Sequence, residues 1–168
     1  MRAVVWITES TWEECVDRAR ELVPGDAEVT LLHVSPTDVE DVAARGAARL
    51  LGRRPPPAPG PPLRAIAAGE AQALLESAQS RLGRAAELDS RRGRVEREVV
   101  EACAGADLLV VARDGELRAG PKSLGSHTRF VVDHARCQVL LVWAGEPAAG
   151  PPEPDRRDGP PGPIDSPR

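Results

Sequence analysis

Short, almost wholly apolar runs alternate with segments of helical spacing along most of this chain, and that alternation narrows its possible folds more than any other feature. The runs are Ala3–Ile7, Val29–Val34, Leu108–Ala112 and Gln138–Trp143. Strands this uniformly apolar are covered on both faces, as in a parallel sheet packed between helices. Ala85–Asp89 is shorter and half polar, the pattern of an edge strand. Between the runs, Thr11 and Glu14 form a capping-box pattern ahead of Trp12, Cys15, Val16, Ala19, Leu22 and Val23, and Pro24-Gly25 stops that helix. A second amphipathic segment carries Val39, Val42, Ala43, Ala47, Leu50 and Leu51. A third runs from about Arg64 to Leu82, with Ile66, Leu74, Leu75, Ala78 and Leu82 as its apolar positions. A fourth spans Val95–Ala104 and stops at Gly105, and a fifth spans His127–His134. Right-handed crossovers turn this order into a Rossmann-like α/β domain over residues 1–144, a parallel sheet with helices on both faces.

Two segments stand outside the pattern. Residues 53–62 hold six prolines and a glycine and read as a stiff surface insertion. Residues 145–168 hold eight prolines and almost no large apolar side chains, so they are expected to remain a disordered tail.

Composition limits the partners. Aromatic residues make up 2% of the chain, so Val, Leu, Ala and Ile must fill the core. A net charge of −4, with both signs interleaved, argues against nucleic acid and anionic membranes. The densest basic run, Arg91, Arg92, Arg94 and Arg97, is interrupted by Glu96, Glu98 and Glu101 and reads as a solvated helix face. Cys15, Cys103 and Cys137 are widely spaced, form no CxxC pair and sit in or beside apolar runs, so they read as small buried hydrophobes in a reducing compartment. With no leader pattern before the first strand and no apolar run of membrane length, a cytoplasmic protein is expected.

Chemistry concentrates between Asp107 and Trp143. A buried strand leads into a loop with Gly115, Gly120 and Gly125, then Ser126 and a helix. Such a loop can lay backbone N–H groups around a phosphate, with a helix N-terminus aimed at it. Gly115 and Gly125 can adopt positive φ and let a phosphate approach the backbone closely, Ser126 is expected to act as N-cap, and Ser126 and Thr128 to offer hydroxyls. Lys122, the only lysine, falls inside this loop and suits a β- or γ-phosphate. The plainer readings are that Ser126 only caps its helix, the glycines only make turns and Lys122 is a solvated lysine. In a doubly wound sheet, ligands bind at the carboxyl ends of strands where the winding reverses. With the first and fourth strands adjacent, Thr8 faces the Ala112–Gly115 turn there. Catalysis has little support. Ser126 and His134 lie more than two turns apart on one short helix, no G-x-S-x-G elbow occurs, and His33, His127 and His134 lack metal-ligand spacing. A Walker A loop is absent. No dedicated carboxylate pair for a Mg²⁺ ion is visible beyond Asp114, which otherwise stabilises its turn.

These residues resemble the universal stress protein family. The likeness covers Arg2–Trp143 and is most specific in Ala112-Arg113-Asp114-Gly115, nine residues, then Gly125-Ser126, the register of the family's ATP-binding loop with Ala112 in place of its first glycine. His134–Val142 and Leu31-Leu32-His33-Val34 resemble the family's last turn and strand and the end of its second strand. The first strand departs from the pattern, with Thr8-Glu9-Ser10 where the family carries an aspartate that helps hold the nucleoside. The resemblance implies five strands in the order 3-2-1-4-5 and an adenine nucleotide, ATP foremost. It points to Thr8, Val34, Val111, Ala112, Gly115, Lys122, Gly125, Ser126, His127 and Thr128 as its surroundings, with Val34 and Val111 as walls and His127 contributing backbone. It also implies a homodimer through the last strand at Val139, Leu141 and Trp143. Two readings follow: an ATP-binding regulator whose loop state a protein partner reads, and a nucleotide-free stress-response module acting through its dimer surface or tail.

Overall fold

The computed structural model describes residues 1–36 and 61–145. The predicted helix at Val39–Leu51, most of the proline-rich insertion and the proline-rich tail lie outside the described residues.

Five parallel strands form one sheet: β1 (Arg2–Trp6), β2 (Glu28–Pro36), β3 (Glu87–Gly93), β4 (Leu108–Arg113) and β5 (Gln138–Trp143). Their order is β3-β2-β1-β4-β5, the expected Rossmann-like winding. The described helices are α1 (Trp12–Leu22), α2 (Pro61–Leu82), α3 (Val95–Ala102) and α4 (Ser126–His134), with a 3₁₀ turn at Pro121–Ser123.

The period-two alternation of strands divides the core into two layers. Ala3, Val5 and Ile7 of the β1 segment point to one face, where Cys15, Val16 and Ala19 of α1 and Leu75, Ala78 and Leu82 of α2 cover them. Val4 and Trp6 point to the other, against Val99 of α3 and Val131 of α4. β4 divides likewise, with Val110 and Ala112 on the first face and Leu109 and Val111 on the second. Both faces of the central strands are thus buried, which explains why their sequences are continuous apolar runs.

Four local expectations are corrected. First, β3 lies at Glu87–Gly93, later than Ala85–Asp89, so Arg91 and Arg92 belong to a strand rather than a helix face. Register with β2 (Val34↔Arg91, Ser35↔Arg92) satisfies their backbone, and Asp89 neutralises Arg91 at 2.8 Å. Long-range pairing therefore overrides a polar local pattern. Second, α2 starts at Pro61, not near Arg64. Prolines are tolerated in a helix's first turn, where the N–H groups lack intrahelical acceptors in any case. Third, Ile66 is 59% exposed, and the buried line of α2 is Ala71, Leu75, Ala78 and Leu82. Fourth, Thr11 is the N-cap of α1 but makes no side-chain capping bond. Its hydroxyl is spent on the hydroxyl of Thr8, 2.6 Å away.

Outside the core, α1 and α2 are joined by Arg81, whose guanidinium forks onto both carboxylate oxygens of Asp17 at 2.9 and 2.8 Å. That bond holds the Asp17 carboxyl below its ordinary range. Among the described residues, no helix is long and apolar enough to cross a membrane.

Candidate functional site

β1 and β4 are neighbours, while the chain leaves them toward opposite edges of the sheet, so the winding reverses between them. At their carboxyl ends a small crevice is lined by Trp6, Thr8, Thr11, Val111, Ala112, Asp114 and Thr128. Thr8 reaches it because β1 ends just before it. Thr8 then begins a turn in which its carbonyl accepts from the N–H groups of Thr11 and Trp12. Thr128 reaches it from the first turn of α4, where it is almost fully buried. The crevice measures about 20 Å³, far below the roughly 300–1,000 Å³ typical of a ligand pocket. Trp6, the buried indole that closes β1, forms part of its wall.

The loop after β4 folds back on itself. The Gly115 and Glu116 N–H groups donate to the carbonyls of Ser123 and Lys122 at 3.2 and 2.9 Å. Ser123 is fully buried, its hydroxyl donates to the Gly120 carbonyl at 2.7 Å, and it accepts from the Arg113 guanidinium at 2.5 Å. Arg113 in turn lies over the Trp143 ring, 4.7 Å from its centre. The loop is therefore anchored to β4 and β5 by one arginine.

Its glycines work differently from expectation. Neither Gly115 nor Gly125 has positive φ; in this loop Gly120 does, at 144°. What Gly115 and Gly125 supply is close approach. A Cβ on Gly115 would strike the Lys122 carbonyl and lie 2.7 Å from the Ser123 carbonyl carbon. A Cβ on Gly125 would lie 2.5 Å from a carboxylate oxygen of Asp114.

That last contact defines the site's electrostatics. The Gly125 N–H donates to Asp114 Oδ1 at 2.7 Å, and Gly125 is the N-cap residue of α4. Ser126, expected as the N-cap, is instead the first residue of the helix, and no side chain at the cap position bonds the helix N–H groups. Asp114 thus sets its carboxylate against the positive end of α4, the arrangement a phosphate would otherwise adopt.

Of the candidate residues, the fold brings Thr8, Val111, Ala112 and Thr128 together in the crevice, with Gly115 and Gly125 in the loop beside it. Others turn elsewhere. Val34 is buried in the core with Trp6 and does not line the crevice. Lys122 has an 82% exposed side chain, 3.8 Å from Glu116. Ser126 lines a separate open groove of about 480 Å³ with Leu124, Arg129, Phe130, Asp133 and His134, which shares no lining residue with the crevice. His127 turns to α3, its Nδ1 2.9 Å from Glu96. The Glu96 carboxyl is held below its ordinary range, first by a backbone N–H and then by His127, against the opposing effect of burial.

The remaining histidines are spent locally. His33 Nδ1 bonds the Ile7 carbonyl at 3.0 Å, and His134 Nδ1 bonds the Phe130 carbonyl at 2.8 Å while stacking on that ring. Among the described residues, no three His, Cys, Asp or Glu side chains gather as a metal site. Trp6 and Thr11 were not anticipated at the crevice. Their signals are an aromatic residue closing β1 and a threonine three residues after Thr8.

The universal stress protein family matches residues 9–142. The fold is similar to that of the hypothetical protein MJ0577 (18% identity, TM-score 0.60, covering 84% of this chain and 95% of that one). It is also similar to a universal stress protein solved in complex with cAMP (17%, 0.58, 86% and 98%) and to a universal stress protein from Archaeoglobus fulgidus (18%, 0.57, 84% and 98%). No curated protein matches the sequence significantly. With the family matched over most of its length and the same winding of the sheet, this chain belongs to the universal stress protein family.

Proposed function

We propose that this chain is a cytoplasmic, adenine-nucleotide-binding regulator whose site is the crevice between the ends of β1 and β4, with ATP as the foremost ligand. The observation that carries this reading is convergence. Thr8, Thr11 and Thr128 bring three hydroxyls to the switch point, beside backbone that approaches closely at Gly115 and Gly125. The cAMP complex of a structurally similar family member supports an adenine nucleotide as the class of ligand. In this reading the Thr8 hydroxyl replaces the family's carboxylate toward the nucleoside. The phosphates would meet the Gly125 and Ser126 N–H groups once Asp114 gives up its bond to Gly125, and the freed Asp114 carboxylate would then be available to hold a Mg²⁺ ion that neutralises their charge. Lys122, exposed on the loop, swings from Glu116 to the outer phosphate. Nucleotide thereby changes the state of the Gly115–Gly125 loop, which a protein partner reads, and the protein works as a homodimer paired along β5.

The crevice must widen for this, and Trp6 and Asp114 oppose it. Those two residues favour the second reading, a nucleotide-free interaction module in which Asp114 serves permanently as the internal anion of α4. Amide NMR separates the two. Titration with ATP and Mg²⁺, and separately with cAMP, is expected to shift the Thr8, Gly115, Gly125 and Ser126 amides. Unmoved amides at saturating ligand would reject the nucleotide reading.

A further inference from the structure

Cys103 and Cys137 are far apart in sequence, yet the fold brings them together. Cys103 is the C-cap residue of α3, and Cys137 immediately precedes β5. The backbone next to each is tied down: the Ala106 N–H donates to the Cys103 carbonyl at 3.0 Å, and the Gln138 N–H donates to the Asp107 carbonyl at 3.1 Å. Both side chains belong to the apolar layer of Val99, Leu109 and Val131, and Cys137 lies near enough to disfavour ionisation of the Cys103 thiol. Their access to solvent differs, Cys103 being 2% exposed and Cys137 half-buried. Cys15 is fully buried in the opposite layer.

We propose that Cys103 and Cys137 are a redox-modifiable pair that hydrogen peroxide converts into an intramolecular disulfide, closing a covalent loop around β4, the glycine loop and α4. Exposure assigns the roles. The Cys137 thiolate attacks a peroxide oxygen, forming a sulfenic acid and releasing hydroxide. The Cys103 sulfur then displaces hydroxide from the Cys137 sulfur and gives up its own proton. In sum, two thiols and one peroxide yield one disulfide and two waters, with two electrons passing from sulfur to oxygen. Burial, reinforced by the facing Cys137, pushes the Cys103 thiol up to about 12. Cys103 therefore stays protonated at rest and reacts second, and the pair responds slowly to oxidant. The bridge would lie at the amino ends of β4 and β5, opposite the crevice, so its formation needs no ligand to leave.

Peptide mapping by mass spectrometry tests the proposal on the full chain, treated with hydrogen peroxide after removal of reductant and digested without reduction. The expected product is a Cys103–Cys137 linked peptide pair lighter by two hydrogens and restored by dithiothreitol, with Cys15 still reduced. In Cys137→Ser, Cys103 is expected to remain unmodified under the same treatment. Sulfinic acid at Cys137 beside a reduced Cys103, a bridge between any other pair, or no change at either thiol would overturn it.

Discussion

Gly115 governs how the loop after β4 closes, because the space for a side chain there is already taken by the Lys122 and Ser123 backbone. Gly115→Ala should force the two limbs of the loop apart and destabilise the fold by about 1–3 kcal/mol, as overpacking does. Urea denaturation measures this, and an unchanged midpoint would show that the loop does not need the contact. At the same scale, Asp114 could be read from spacing as a turn residue, but its carboxylate instead bonds Gly125, eleven residues on, and supplies the negative charge at α4. Gly115, Gly120 and Gly125 were legible as a loop from their spacing. Their mode of action was not, because close approach between segments about ten residues apart leaves no local trace, whereas positive φ is the ordinary reason for a glycine. The Thr8–Thr11 hydroxyl pair was obscured similarly, since a threonine before a helix normally reads as a cap.

Elements were legible in proportion to how much of their surface is buried. β1, β2, β4 and β5 are covered well enough to be written in apolar residues. β3, at the other edge of the sheet, is held by pairing with β2 and by Arg91–Asp89, which spacing and hydropathy do not record. α2 shows the same principle within one helix. Its apolar residues outnumber its buried ones, so composition alone could not say which side faces the sheet. Leu75 is fully buried and Ile66 largely exposed. Leu75→Ala should therefore cost about 2–5 kcal/mol, and Ile66→Ala should stay within about 0.5 kcal/mol. Equal losses in thermal or chemical denaturation would contradict this account of how α2 packs.

Across the whole molecule, the winding of the sheet follows from strands alternating with helices, and it places the crevice before any ligand chemistry is considered. It also leaves β5 at an edge, with Val139, Leu140 and Leu141 half-buried and open to pairing with a second copy. Trp143, expected at a dimer interface, packs its ring under Arg113, the residue that bonds Ser123 of the loop. Leu141→Lys places a charge on the proposed dimer edge and is expected to give a folded monomer by light scattering; a dimer of unchanged mass would rule out pairing through β5. The central claim is that adenine nucleotide binds at the β1–β4 crevice and competes with Asp114 for the Gly125 N–H. Calorimetric titration of ATP into the parent and into Asp114→Asn tests it most directly. The account predicts measurable binding by the parent and binding about tenfold tighter, roughly 1.4 kcal/mol, by the variant without Mg²⁺. No heat of binding from either folded protein would contradict it and leave the nucleotide-free module as the function of this chain.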